Sequence, residues 1–292
     1  MTQNRTSPRV SSRPSIRSNP SLVFEGVGGS PTGLSPRAAD RRLLRLLGEH
    51  RVLTTGQLIQ ITRIPERTAQ YRLGILYRAG LVVRHRPRAT VGTAPYHFWL
   101  TAFGAAAAGC EAPESWGDDL AGVQTLAAAN DLWLGLRDGG SAVGVTLTDW
   151  HPLPAGLAYR DPATGADRRL GADAGLTVRN RVGRDRRALV VARLDRVPQA
   201  RLSPVVTRWA NYLATGSAAT PTGALFLTRS EQRRMLILGE VGADAVSVDR
   251  VAVAVVGQRP ASLATGPVWR TAEDDHHRRL VEVLARFRGA TR

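Results

Sequence analysis

Lysine is absent from this sequence. Every one of its 40 strong cations is an arginine, set against 24 acids for a net charge of +16. The absence removes the G-x-x-x-x-G-K-[ST] phosphate loop, whose lysine reaches the terminal phosphates. Cysteine is nearly absent too: Cys110 stands alone, so no disulfide forms within the chain, consistent with a reducing compartment. No run approaches the roughly 18 consecutive apolar residues of a membrane span. The scattered N-terminal arginines precede no apolar stretch of the secretory kind. A cytoplasmic protein without membrane contact is the expectation. His50, His85, His97, His151, His276 and His277 match no zinc-ligand spacing with Cys110 or with carboxylates. His276 and His277 read as a solvated pair on a final helix. There is no G-x-S-x-G elbow, and Gly26-Val27-Gly28-Gly29 precedes no helix of a βαβ unit. No cofactor, metal or catalytic residue is expected, and the chain is not read as an enzyme.

What is present is positive charge in one place. Residues 37–110 carry twelve arginines against Asp40, Glu49 and Glu66, a net of +9. Residues 1–36 contribute +3, and the much longer stretch 111–292 only +4. A polyanion is the natural partner for such a patch, because each neutralised phosphate releases condensed counterions. Arginine also suits forked contacts to phosphate and to guanine edges better than lysine does.

The basic stretch has a legible architecture. Residues 1–35, rich in Ser, Pro and Arg, read as a disordered basic tail. A first helix follows, with Ser35 as cap, Pro36 in its first turn and Leu43, Leu44, Leu46 and Leu47 facing inward. Thr54 or Thr55 caps a second helix that buries Leu58, Ile59 and Ile61. Pro65 opens a third, in which Ala69, Leu73, Leu76 and Tyr77 recur at helical spacing. Gly80 ends it in the left-handed cap geometry. Residues 81–86 and 96–100 then read as two strands around a Pro/Gly-bearing loop. Together, residues 36–110 read as a winged helix-turn-helix domain. Its third helix would offer Glu66, Arg67, Thr68, Gln70, Tyr71 and Arg72 to the major groove, with Arg63 just before it. Arg84, Arg86 and Arg88 would lie on the wing beside the DNA backbone.

Residues 111–117 read as a linker to an α/β domain over 118–292. In that domain a helix is expected at 118–137, with Leu120, Val123, Leu126, Ala127 and Leu134 on one side. Strands are expected at 143–147, 174–178, 188–194, 224–228, 235–238 and 251–256. Two further helices fall at 203–214 and 273–288.

The run LTTGQL…RTAQYRL, with LYRAGLV and YHFWLTAFG after it and Ala129-Asn130-Asp131 beyond, resembles the replication-relaxation family of actinobacterial plasmids and integrative elements. The resemblance implies an N-terminal winged helix joined to a small mixed-sheet α/β domain similar to a degenerate PD-(D/E)xK nuclease core. In such a core, carboxylates hold a divalent metal and a lysine polarises the scissile phosphate. Here Asp173 falls at the first acidic position, Arg193 replaces the next carboxylate before Asp195, and Arg208 stands where the lysine would be. A cation in place of a metal-binding carboxylate reverses the local electrostatics. Asp173 is therefore read as a turn residue, and Asp195 as a salt-bridge partner of Arg193 or Arg196. The resemblance further implies a role in plasmid replication control or transfer.

The reading is a double-stranded DNA-binding protein of a mobile element. Its second domain would serve partner contact, with another copy of the chain or a replication or transfer protein. A metal-dependent nuclease or nickase targeted by the winged helix is the alternative. A protein-interaction module, using the Trp-bearing helix 203–214 as its interface, is a third.

Overall fold

The computed structural model describes residues 36–87, 93–111, 120–153, 156–161, 164–192, 194–214, 221–243, 249–256 and 262–287. The 1–35 tail, Arg88, Arg193 and linker residues 112–117 lie outside them. Helix α1 spans Ala38–His50 and strand β1 Leu53–Thr54. Helices α2, Thr55–Thr62, and α3, Glu66–Arg78, follow. Strands β2, Val82–His85, and β3, His97–Leu100, lead to α4, Ala102–Ala108. The three strands form an antiparallel sheet in the order β1-β3-β2. Leu43, Leu44, Leu47, Leu58, Leu73, Leu76 and Phe98 close a core beneath it.

Local chemistry explains the boundaries. Thr54 accepts the Gln57 backbone N–H at 3.2 Å while the Gln57 carboxamide accepts the Thr54 N–H at 2.8 Å, a reciprocal cap that starts α2. The start of α1 differs from the Ser35 expectation. The helix begins at Ala38, and the Asp40 carboxylate accepts the Arg37 N–H at 3.0 Å. Gly80 does take a positive φ of 70° after α3. Tyr77 departs from the inward pattern and is 41% exposed.

The rest of the chain builds a mixed sheet of seven strands. Helix α5, Leu120–Gly139, ends in a 3-10 turn at Gly140–Val143. Next come β4, Val145–Pro152, β5, Leu157–Arg160, and β6, Asp167–Leu170. Strands β7, Ala174–Asn180, and β8, Asp185–Val191, precede α6, Leu202–Ala214. Then follow β9, Gly223–Thr228, α7, Glu231–Gly242, β10, Val251–Val255, and α8, Ser262–Thr265. Strands β11, Pro267–Arg270, and β12, Arg278–Arg279, and helix α9, Leu280–Arg286, complete the described chain. The order is β12-β11-β10-β9-β8-β7-β4, with β8, β9 and β10 parallel and the outer pairs antiparallel. Strands β5 and β6 form a separate hairpin.

The central strands are buried on both sides and so read as continuous apolar runs. In β9, Leu225 and Leu227 face the core that holds α5, α8 and α9, whereas Ala224 and Phe226 face the core of α6 and α7. Two sequence expectations fail here. Residues 235–238 lie inside helix α7, which Ser230 starts by accepting the Arg233 N–H at 3.1 Å. A four-residue apolar run carries no period long enough to separate helix from strand. The final helix is only Leu280–Arg286. The acidic segment before it stays irregular because Glu273, Asp274 and Asp275 pair with Arg286, Arg278 and Arg270. His277 is not a bare surface residue, since its Nε2 lies 3.2 Å from the Arg234 guanidinium. Leu120, expected inward, is 38% exposed at the start of α5. No described helix is long and apolar enough to cross a membrane.

Candidate nucleic-acid interface

Helix α3 buries Ala69, Leu73 and Leu76. With 3.6 residues per turn, the opposite face is the stripe Arg67, Tyr71, Gly74 and Arg78. Arg67 and Arg78 are exposed, and Tyr71 is 63% exposed, unusual for an aromatic with no internal task. Gly74 completes the stripe, and a Cβ there would meet nothing within 4 Å. Glu66 and Gln70 face the cleft toward β2, joined by a 2.8 Å bond from the Gln70 carboxamide to the Glu66 carboxylate. Thr68 is exposed on the other flank. Arg72 is held back, its guanidinium 3.6 Å from the buried Asp40 of α1. Arg63, in left-handed geometry between α2 and α3, stands exposed 4.0 Å from Asp138 of α5.

Arg84 of β2 and Arg86 just after it lie over tyrosine rings. Arg84 lies 4.2 Å over the Tyr77 ring and 5.1 Å from that of Tyr96, and Arg86 lies 3.9 Å over Tyr96. Such stacking fixes a guanidinium plane while leaving its N–H edges for an outside acceptor. A cleft of about 610 Å³ separates α3 from β2 and the segment before β3, with Glu66, Gln70 and Gly74 on one wall and Arg84, Arg86 and Tyr96 on the other. Sequence reasoning missed Arg78, Gly74, Tyr77 and Tyr96. The first two follow from the helical period of Arg67. In sequence Tyr77 reads as an inward position of the helix, and Tyr96 meets Arg84 only across the β2–β3 pair.

This face is bolted to α5. Asn130 donates to the carbonyls of Val52, at 2.7 Å, and His50, at 3.3 Å, and its Oδ1 lies 3.1 Å from His50 Nδ1. The His50 ring stacks on Trp133 at 4.4 Å. Burial holds the His50 pKa below its ordinary value, opposed by Glu49 and Asn130. The Gln57 carboxamide, besides capping α2, donates to the Ala127 carbonyl at 2.8 Å and to Asp131 at 2.6 Å. Burial pushes the Asp131 carboxyl up to about 6, with the Gln57 bond pulling the other way. These contacts explain why Asn130-Asp131 belongs with the α2 motif in sequence: the two segments bond to one another.

Asp173 and Asp195 both serve contacts inside the fold. Asp173 is no turn residue. It is fully buried, ion-paired with Arg51, and accepts the Ala192 N–H at 2.7 Å. Arg51, at the C-terminal end of α1, reaches it from a backbone with φ 63° and ψ −46°, an uncommon conformation for a non-glycine residue. Asp195 accepts the Thr228 hydroxyl at 2.6 Å and the Arg229 N–H at 2.9 Å, tying off the end of β9. Arg208 sits exposed on α6, in a cleft with Tyr159 and Asp161. No cluster of three or more metal-ligating side chains occurs among the described residues. Trp209, expected at an interface, is 1% exposed and packs edge-on against Tyr212 and Phe226.

The replication-relaxation family matches residues 44–225, 182 of the 292, from within α1 into β9. The chain belongs to this family. No curated protein and no solved structure matches it. The family match therefore covers both the α3 face and the α5 junction that carries it, and stops short of β10 and the elements after it.

Proposed function

We propose that residues 36–110 form a winged helix that binds duplex DNA, with α3 in the major groove and the β2–β3 wing on the backbone. The observation that carries the reading is the α3 stripe: two exposed arginines and an exposed tyrosine with no partner among the described residues, beside Arg84 and Arg86 over tyrosine rings. Membership of the replication-relaxation family supports a role in plasmid replication or transfer. Arg67, Tyr71 and Arg78 approach base edges or the phosphates beside them, whereas Arg84 and Arg86 hold the backbone. Arg72 serves chiefly to fix α3 on α1 through Asp40.

A non-enzymatic role is favoured by the setting of Asp173. A metal there would have to displace Arg51 and compete with the Ala192 N–H for the same carboxylate. The α/β part then acts as the platform that orients α3.

Selecting sequences from a random duplex pool and titrating the winner at several salt concentrations tests the proposal. Affinity should fall steeply with salt, and Arg67→Ala should cost about 1–3 kcal/mol on the selected site while leaving thermal stability unchanged. A flat salt dependence, or a pool that yields no preference, would overturn it.

A further inference from the structure

We propose that the tip of the β7–β8 hairpin, residues 179–187, is a second contact for the DNA phosphate backbone, continuous with the α3 face. This rests on the duplex-binding reading above. The segment Arg-Asn-Arg-Val-Gly-Arg-Asp-Arg-Arg carries five arginines and one acid, a net of +4 in nine residues. That equals the surplus of the whole stretch 111–292, so the remainder of that stretch is neutral.

The single acid is already engaged. Asp185 takes two hydrogen bonds from Arg179, at 2.8 and 3.2 Å. Arg181, Arg184 and Arg186 have no carboxylate partner among the described residues. Nor are they loosely tethered. The Asn180 carboxamide oxygen accepts the backbone N–H of Val182 at 3.2 Å and of Arg184 at 2.9 Å, which fixes the turn. The Arg181 guanidinium lies against Gly144, where a Cβ would come within 2.6 Å of its Nε. Arg181, Arg186 and Arg279 line one cleft of about 470 Å³ that has no acidic residue in its wall. The Nε of Arg186 is buried there with no partner among the described residues. Val182, at the very tip, is 74% exposed. An extended anion bearing repeated charges satisfies this arrangement.

Continuity with α3 comes from the end of α5. Asp138 accepts the Gln60 carboxamide at 2.6 Å and lies 4.0 Å from Arg63, at the turn that leads into α3. Four residues later, Ala142 forms part of the wall of the hairpin cleft. Four residues span at most about 14 Å, a length of duplex that carries roughly eight phosphate charges. The turn that leads into α3 and the hairpin cleft therefore flank the same end of α5.

The test uses the full chain and a fluorescent duplex of roughly three helical turns, titrated between about 50 and about 200 mM salt. Each phosphate contact contributes a slope near −0.9 in log affinity against log salt. Combining Arg181→Gln, Arg184→Gln and Arg186→Gln should shrink the wild-type loss of affinity over that range roughly 40-fold, whatever the DNA sequence. Should Arg186→Gln unfold the hairpin, Arg181→Glu with Arg184→Glu changes two exposed positions and should still shrink it at least roughly 12-fold. Arg67→Ala should lose sequence preference yet keep the hairpin component of the slope. Wild-type binding with unchanged slopes in the hairpin variants overturns this inference and leaves the α3 reading standing. A wild type that binds no duplex overturns both.

Discussion

On the outer face of α3, Arg67 and Arg78 stand exposed, and the nearby Arg84 and Arg86 lie on tyrosine rings rather than on acids. At the junction with α5, a few residues away in sequence, Arg51 is buried against a carboxylate that is itself fully enclosed. Both regions are arginine-bearing parts of one basic stretch, and net charge does not tell them apart. The partner does. A guanidinium matched inside the protein has its charge compensated and its position fixed, so it holds the fold together. A guanidinium held in place by an aromatic face keeps its hydrogen-bonding edge for something outside. Arg72 shows how close the two cases lie, since, one residue after Tyr71 of the exposed stripe, it turns inward to Asp40.

The comparison can be broken at the junction most forcefully. Arg51→Ala would break the buried pair with Asp173, at a cost of about 3–5 kcal/mol. A urea midpoint that drops by that much, with no comparable drop for Arg67→Ala, is the expected result. Equal stabilities for the two variants would mean that the buried pair does not anchor the end of α1 to the seven-stranded sheet.

A smaller effect is expected from Asp131, and its sign follows from the direction of its shift. Its folded pKa of about 6 lies above its ordinary value, so the folded chain holds a proton that the unfolded chain releases. Its contribution is therefore fully favourable in acid and is lost as pH rises through about 6. Asp131→Asn keeps an oxygen acceptor for Gln57 and removes the titration. The variant should be more stable than wild type above pH 6, and should lose the decline that wild type shows between about pH 4 and 6. His97, lowered to about 4 by burial, acts in the opposite sense: its neutral form stabilises at neutral pH, and that contribution is lost as pH falls through about 4. Melting curves of the two proteins across that range, compared by difference, cancel the His97 part.

The smallest effect lies on the exposed face. A mid-helix glycine costs up to about 1 kcal/mol relative to alanine, and nothing within the chain requires Gly74. On the proposed duplex contact, Gly74→Ala should therefore raise thermal stability while weakening binding to duplex DNA, because Gly74 lines the cleft between α3 and β2. Gly239→Ala in α7, another helical glycine whose Cβ would meet nothing within 4 Å, serves as the control that stabilises without touching affinity. Unaltered DNA affinity in Gly74→Ala would remove α3 from the contact.

Much of the basic module was readable in advance. Thr54, Pro65 and Gly80 mark their boundaries by local chemistry, and the period of Ala69, Leu73 and Leu76 orients α3. The α/β part was less legible where elements are short. Residues 235–238 look like a strand because four apolar residues carry no period, and the weak pair β11–β12 has too few residues to announce itself.

The sequence by itself determined where the charge lies, which helix presents a polar face, and to which family the chain belongs, because caps, periodicity and composition act over a few residues. Only the tertiary structure decided the fate of individual side chains. Asp173 became a buried anchor rather than a turn residue because Arg51, 122 positions earlier, is folded onto it. Arg84 meets the Tyr96 ring because β3 folds back along β2. Partners of that kind are set by packing between distant segments, and no local pattern encodes them.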